Sequence, residues 1–298
     1  MNDFTLLKTI KVKNLLGECI LWDELSQQLW WTDILGARLY RYHFHDEKLE
    51  DFALPERLGS FGFVRNDPRL ICAFASGFAL YEPKTAQIEW LYRPEAGFSG
   101  TRFNDGRCDR QGRFWAGTMV EAATAKDAEQ RNVQGALYWV AAKDQGKALE
   151  HIRISNSLCW SPDSGTVYFA DSPSREICAF DFETASASFT NKRVFATTPE
   201  GSVPDGSTID AAAHLWNAHW GGGKVVRYSP QPNPVSAIEL PVSQPTCVCF
   251  GGPDMNLLFV TTALTQLTDA QLLAQPEAGN VFVFKTACKG LPESRYEK

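Results

Sequence analysis

The sequence TRFNDGRCDRQGRFWAGT, residues 101–118, contains in three consecutive pieces a pattern that recurs along the whole chain. Its polar piece is RFNDG (102–106), and its turn piece is DRQG (109–112), rich in residues that reverse a chain. Its last piece is FWAGT (114–118), which starts with two aromatic residues of the kind that pack on a pleated sheet. The stretch therefore predicts a β-hairpin with polar side chains at the start of its first strand.

Six copies of this hairpin pattern follow one another along the chain. A third strand, with aromatic and β-branched residues in near alternation, follows the copies at 38–42, 77–81, 135–139, 176–180, 224–228 and 280–284. Equivalent positions in the second strands lie roughly 41 to 54 residues apart, a period typical of four-stranded propeller blades. These positions are Trp31, Cys72, Trp115, Phe169, Asn217 and Phe259.

The repeat predicts an all-β fold, a six-bladed β-propeller with four-stranded blades, formed as a single domain over residues 1–298. The sixth copy is one strand short, and we expect the N-terminal run 4–12 to supply that strand and close the ring. A short helix is predicted over 268–275, with Thr268 as its cap and Pro276 after its end. Segment 122–131 is predicted to be a loop or a short exposed helix.

Composition excludes several classes of protein. The chain has 298 residues, is 44% hydrophobic and carries a net charge of −6, which argues against disorder and against nucleic-acid binding. No apolar run approaches the ~20 residues that span a bilayer, and the N-terminus lacks a secretory pattern. A cytoplasmic protein without membrane partners is the simplest expectation. The eight cysteines include no C-x-x-C pair, so we expect reduced core thiols.

Polar side chains occupy one phase of the repeat. In four of the six copies a charged or amide residue lies 11 to 13 positions before the equivalent position. Each of them alone could be a turn residue, since glycine or serine lies beside it. The first strand of each propeller blade lines the central channel, however, so residues at one phase converge near the axis. The set is Glu18, Arg102, Asn104, Asn156 and Asp205.

The chemistry of this set suits a metal-dependent site. Two carboxylates, Glu18 and Asp205, and the carbonyl oxygen of Asn156 form an all-oxygen ligand set, for which Ca²⁺, Mg²⁺ or Mn²⁺ is expected and Zn²⁺ is possible. Three protein ligands leave positions open for water and substrate. Arg102 suits carbonyl or carboxylate oxygens, and Asn104 suits hydroxyl groups.

With these residues the chain resembles the senescence marker protein/gluconolactonase/luciferin-regenerating-enzyme family, the regucalcin-like sugar lactonases. The resemblance covers nearly the whole chain, with the motifs in family order. It implies a six-bladed propeller with one divalent metal cation in the channel. The motifs are LGE (16–18), RFNDG (102–106), GRFWAGTM (112–119), ISN (154–156), PDG (204–206) and GGGKV (221–225).

The resemblance also implies residue roles. Asp205 matches the proposed general base of the family. One departure is Ser157, where a glycine is expected after the metal-binding asparagine. The matching positions are Glu18, Asn156 and Asp205 for the metal, and Arg102, Asn104 and Glu121 for the substrate.

The predicted reaction is hydrolysis of a sugar 1,4- or 1,5-lactone to an aldonic acid. Two alternatives remain open: an aryl-ester or organophosphate hydrolase on the same site, and a calcium-binding propeller without catalysis. Specificity is expected from channel-mouth loops around 61–63, 121–131 and 264–278. The lactone, the physiological metal and the oligomeric state stay open, and neither Asp105 nor His219 is assigned a catalytic role.

Overall fold

A ring of six β-sheets forms the protein. The computed structural model describes residues 4–97, 100–121, 134–231 and 233–298. Within these residues each sheet has four antiparallel strands. The first strands of successive sheets pack against one another, and the sixth packs against the first. The predicted six-bladed β-propeller is therefore confirmed.

The blades follow chain order. Blade 1 contains β2 (Gly17–Asp23), β3 (Gln28–Asp33), β4 (Arg38–His43) and β5 (Lys48–Ala53), and blade 2 contains β6 (Leu58–Phe63), β7 (Leu70–Phe74), β8 (Gly77–Glu82) and β9 (Gln87–Tyr92). Blade 3 contains β10 (Thr101–Cys108), β11 (Phe114–Val120), β12 (Gly135–Val140) and β13 (Gln145–Ile152). Blade 4 contains β14 (Ser155–Trp160), β15 (Thr166–Asp171), β16 (Glu176–Glu183) and β17 (Ser188–Thr197). Blade 5 contains β18 (Val203–Ile209), β19 (Leu215–Trp220), β20 (Lys224–Tyr228) and β21 (Pro234–Glu239). Blade 6 contains β22 (Pro245–Gly251), β23 (Leu257–Thr262), β24 (Val281–Thr286) and the N-terminal β1 (Phe4–Ile10).

The N-terminal strand closes the ring. β1 pairs antiparallel with β24, from Phe4 opposite Thr286 to Ile10 opposite Val281. Blade 6 thus combines strands from both ends of the chain, and opening the ring requires breaking this pairing. The expected closure by the N-terminal run is confirmed.

Buried aromatic side chains fill the space between neighbouring blades. Trp31, Trp115 and Phe259, at equivalent positions of their second strands, are fully buried. The outer strands are more exposed; β9, for example, is exposed at four of its six residues. All eight cysteines are unpaired, and all are buried except the partly exposed Cys288, as expected of reduced core thiols.

The sequence placed two features wrongly. The second copy of the hairpin pattern begins GFVR (62–65) and predicts a first strand that starts at Gly62, but β6 begins at Leu58. Residues 61–63, which were expected near a channel-mouth loop, are therefore buried strand. Gly59 is the physical reason why the start of this strand was not predicted, because glycine is uncommon inside strands. A Cβ there would lie 2.4 Å from the carbonyl oxygen of Phe103, so only glycine lets β6 and β10 approach so closely.

Regular helix is scarce in the residues that the structure describes. Helix α1 (Asp269–Ala274) carries a capping box between Thr268 and Gln271, which confirms the predicted helix and its cap. A 3-10 turn covers Ser172–Ser174. Segment 122–131 lies outside the described residues. In the described part of the chain, no helix has the length and apolar character that crossing a membrane demands.

The C-terminal tail runs across one face of the ring. Its backbone bonds to the turns that join first and second strands, at Gly112 in blade 3, Ala211 in blade 5 and Met255 in blade 6. Tyr296 is buried and pairs with Val64 of blade 2. The polar tail is therefore docked structure, and it covers the face opposite to the one where the first strands begin.

A buried ion pair fastens this tail to the channel wall. Glu293 of the tail lies 3.5 Å from Arg107 of β10, and both side chains are almost fully buried. Arg107 also donates a hydrogen bond to the carbonyl oxygen of Ser207, at 2.8 Å. The tail and this arginine therefore lie towards the ends of the first strands, and the polar residues lie where those strands begin.

Candidate active site

Each inner hairpin of the propeller carries a bulge near the start of its first strand. The register between first and second strands shifts directly after Glu18 in blade 1, after Asn156 in blade 4 and beside Asp205 in blade 5. A bulge bends the strand locally and redirects side chains. Cys19 and Ser157, the residues after two of these side chains, have φ of 45° and 63°, in the left-handed region. The Ser157 backbone explains why glycine is expected there.

The structure brings the predicted polar set into the buried channel wall. Glu18 is 7% exposed, and the other four are 5% exposed each, in the first strands of blades 1, 3, 4 and 5. Charged residues are rarely buried to this extent without a partner or a ligand. The five residues are Glu18, Arg102, Asn104, Asn156 and Asp205.

A chain of hydrogen bonds connects three blades at this site. Arg102 Nη1 donates to Asn104 Oδ1 at 2.8 Å, and Asn104 Nδ2 donates to Asn156 Oδ1 at 3.0 Å. Asn156 Nδ2 donates to Ser172 Oγ at 2.8 Å, and Ser172 Oγ donates to the carbonyl oxygen of Pro204 at 2.7 Å. We call these five residues the relay. It runs from the guanidinium of blade 3 to the residue before Asp205 in blade 5.

Two carboxylates of the site repel each other in a dry environment. Burial, together with the nearby Asp105 charge, raises the pKa of Glu18 to about 8. Burial and the Glu18 charge raise the pKa of Asp205 well above its usual range. Burial also raises the pKa of Asp105. Ionising these neighbouring groups together is unfavourable without a cation between them.

One carboxylate oxygen of Asp205 has no hydrogen-bond partner in the part of the chain that the structure describes. Among the described residues, no donor lies within hydrogen-bonding distance of its buried Oδ1. Its backbone is held instead, because Asn217 Nδ2 donates to the Asp205 carbonyl oxygen at 2.7 Å. A buried carboxylate oxygen without a partner usually indicates a binding position for an ion, a water molecule or a ligand. Asp205 is therefore the part of the site that most clearly calls for one.

The donor set fits a hard divalent cation. In the residues that the structure describes, no group of three His, Cys, Asp or Glu side chains is arranged to hold a metal ion. The predicted set differs in kind, because it combines the amide oxygen of Asn156 with the carboxylates of Glu18 and Asp205. Oxygen donors of mixed type are what Ca²⁺ and related cations accept. The unsatisfied Asp205 oxygen and the two repelling carboxylates both agree with such an occupant.

Glu121 lies at the rim of the site, directly after β11. Arg57 donates to both of its carboxylate oxygens, the second contact being 3.1 Å long. Arg102 Nε lies 3.7 Å from Glu121 Oε1. The hydrogen bond from Arg57 and its positive charge lower the pKa of Glu121 despite partial burial. Burial lowers the pKa of Arg102 to about 10, so it stays a cation at neutral pH.

Several residues of the site escaped sequence reasoning. Ser172 lies in a 3-10 turn after blade 4's second strand, away from the repeat phase that the other polar residues share. Arg57 lies before β6, whose start was misplaced. Asn217 did leave a signal, because it is a polar residue at a position that is apolar in the other blades. A buried amide at a core position indicates a specific hydrogen-bonding duty.

Two residues left without a role are now located. Asp105 Oδ2 accepts a hydrogen bond from the backbone N–H of Leu158, 2.8 Å away, and so links blade 3 to blade 4 beside Asn156. His219 is 1% exposed and lies 3.0 Å from the Tyr228 hydroxyl through Nε2. Burial and the Lys224 charge lower the pKa of His219 to about 4, so it is neutral and packed within blade 5.

Comparison with known proteins shows which proteins this chain is similar to. The chain is 34% identical to 6-deoxy-6-sulfogluconolactonase of Pseudomonas putida over 98% of both chains. It is 35% identical to L-arabinolactonase of Azospirillum brasilense, over 95% of this chain and 93% of the relative. The crystal structure of a calcium-binding protein, regucalcin from Agrobacterium tumefaciens, superposes with a TM-score of 0.89 at 31% identity, covering 98% of this chain and 97% of that one.

A family model matches the greater part of the chain. The model described as the SMP-30/Gluconolactonase/LRE-like region matches residues 16–264, from the segment before Glu18 to the end of blade 6's inner hairpin. The matched range includes every residue of the predicted site. The chain therefore belongs to the SMP-30/gluconolactonase/LRE-like family.

Proposed function

We propose that this protein hydrolyses a sugar lactone to the corresponding aldonic acid with the help of one divalent cation. The observation that carries the proposal is the buried site itself: two repelling carboxylates, an oriented amide oxygen and the unsatisfied Asp205 Oδ1 in one channel. The named activities of the two lactonase relatives support the substrate class.

Glu18, Asn156 and Asp205 would hold the cation, which we expect to be Ca²⁺, Mg²⁺, Mn²⁺ or Zn²⁺. When bound, a divalent cation supplies Lewis acidity toward a carbonyl oxygen and lowers the pKa of a nearby water. Asn104 donates to Asn156 Oδ1, which fixes the amide oxygen while leaving it a second lone pair. Glu18 and Asp205 provide the charge.

Asp205 would remove the proton from the attacking water. Burial and the Glu18 charge raise the pKa of Asp205, and the positive charge of the cation would offset this, so that Asp205 would be ionised and able to accept that proton. Asn217 holds the Asp205 backbone and so limits the movement of its carboxylate. A general base positioned in this way typically accelerates the reaction by a factor of about 10² to 10⁴.

Arg102, Asn104 and Glu121 would bind the sugar. Among the described residues, the hydrogen bonds of Arg102 use Nη1, which leaves other guanidinium N–H groups for ring or hydroxyl oxygens. Both N–H groups of Asn104 are bonded to protein acceptors, so its contribution to the sugar is limited to accepting a hydrogen bond. Glu121, held by Arg57, would accept from a sugar hydroxyl.

A substrate panel with an Asp205→Asn variant tests this proposal. Five- and six-carbon aldonolactones, an aryl ester and an organophosphate are assayed with several divalent metals. We expect aldonolactone turnover in the wild type and a loss of about 10² or more in the variant. Asp163→Asn is the matched control, because Asp163 accepts from Ser161 in a turn of blade 4. Equal turnover by Asp205→Asn, or turnover of the ester alone, would refute the proposal.

A calcium-binding propeller without catalysis is the second candidate. It is favoured by the likeness to the calcium-binding regucalcin from Agrobacterium tumefaciens, and by 32% identity to chicken regucalcin over 93% of both chains. The same panel decides between the two. Tight Ca²⁺ binding without turnover of any lactone would select the binding protein.

A further inference from the structure

The relay has only one possible direction, because both of its ends are chemically fixed. Arg102 can only donate hydrogen bonds, and the carbonyl oxygen of Pro204 can only accept them. Asn104 must therefore face Arg102 with its oxygen and Asn156 with its nitrogen. Asn156 must in turn face Asn104 with its oxygen and Ser172 with its nitrogen. The orientation of the Asn156 amide thus follows from the network.

Ser172 is the member of the relay that meets Asn156 on the side away from Asn104. Ser172 is 2% exposed, and its hydroxyl accepts from Asn156 Nδ2 and donates to the carbonyl oxygen of Pro204. Its own backbone is held, since its N–H donates to the carbonyl oxygen of Ile154 at 3.0 Å. A proline in the first turn of the 3-10 segment restricts the backbone further. The hydroxyl therefore has a fixed position between blades 4 and 5.

We infer that Ser172 is a positioning residue for the cation site, orienting the Asn156 carbonyl oxygen and tying it to the strand that carries Asp205. The inference rests on the proposed function, because it assigns Asn156 as a ligand. Residues that orient metal ligands typically contribute 10- to 100-fold to metal affinity. Ser172 accounts for two buried hydrogen bonds, and its loss would leave the Asn156 N–H and the Pro204 carbonyl without partners.

The test is isothermal titration of metal-stripped protein with Mn²⁺ and, separately, Ca²⁺. Ser172→Ala should bind about 10- to 100-fold more weakly than the wild type. Ser172→Thr, which keeps the hydroxyl, should restore most of the affinity. Ser202→Ala is the matched control, because Ser202 is also buried and its hydroxyl also donates to a proline carbonyl, that of Pro199 at 2.9 Å. That variant should bind as the wild type does.

The outcomes separate this inference from the proposed function. If the wild type binds one cation and Ser172→Ala binds it equally well, the inference fails and the proposed function stands. If the wild type binds no divalent cation, both fail. Thermal unfolding of the metal-free variants verifies folding, and a purely structural serine would lower that stability without changing the dissociation constant. Should Ser172→Ala not fold, Ser172→Cys, with its weak thiol donor, must show the weaker binding.

Discussion

Replacing Glu18 with glutamine is expected to stabilise the metal-free protein. The pKa of Glu18 is raised from 4.5 to about 8, by burial first and by Asp105 second. The folded state therefore holds this proton more tightly than the unfolded chain does. Its contribution to stability is fully present below pH 4.5 and is lost as the pH rises towards 8. Glutamine is neutral throughout this pH range, so Glu18→Gln removes the pH dependence that Glu18 gives to the free energy of unfolding.

The size of the effect follows from the two pKa values. They differ by about 3.5 pH units, and each unit corresponds to about 1.4 kcal/mol. The ionised Glu18 side chain therefore costs the metal-free protein up to about 5 kcal/mol above pH 8. A bound divalent cation would offset this cost, so the advantage of the variant should vanish when the wild type is saturated with metal.

Urea unfolding measures the difference in unfolding free energy between Glu18→Gln and the wild type. It is followed by tryptophan fluorescence in a chelating buffer between pH 5 and 8.5. The matched substitution Glu293→Gln should act in the opposite direction, because it removes the partner of buried Arg107, and breaking such a pair costs about 3 to 5 kcal/mol. The reasoning is refuted if Glu18→Gln is no more stable than the wild type at pH 8 without metal.

Three further changes test the surroundings of the site and the support that the tail gives to the ring. Ser157→Gly should change the free energy of unfolding by no more than about 1 kcal/mol. Glycine relieves the strain of the left-handed backbone at this position, and this gain offsets the lost hydrogen bond with the Ser207 hydroxyl. Ser157→Val, which keeps the strain and loses the hydrogen bond, should be clearly destabilising in urea unfolding. Arg57→Gln should raise KM for aldonolactones about two- to fivefold with kcat little changed, because it loosens Glu121; Arg65→Gln, which breaks an arginine–glutamate pair at the opposite face, should leave KM unaltered. Tyr296→Ala should lower the free energy of unfolding by about 3 to 5 kcal/mol, and a value near zero would show that the tail does not support the ring.

Much of the propeller could be predicted because each blade repeats one local pattern. Trp31, Trp115 and Phe259 recur at a blade-length period, and each lies in the second strand of its blade. The start of β6 could not be placed, because Gly59 serves an approach to blade 3 that no local pattern shows. The docking of Tyr296 was missed for a similar reason, since its contacts lie on turns far away in sequence.

The site was predictable to the extent that it follows the repeat phase. Glu18, Asn156 and Asp205 share that phase, and all three are buried in first strands, as expected. Ser172 and Arg57 lie outside it, and their relation to the site depends on how neighbouring blades pack. The predicted roles in metal binding, substrate binding and catalysis remain predictions.

Dependence of lactone hydrolysis on a cation at this site tests the account most directly. Metal-stripped wild-type protein is titrated with Mn²⁺ or Ca²⁺ while aldonolactone hydrolysis and heat of binding are recorded on the same preparation. The account predicts no hydrolysis above the spontaneous rate before metal is added, and recovery that follows occupancy of one site, absent in Asp205→Asn. Full activity after exhaustive chelation would contradict it.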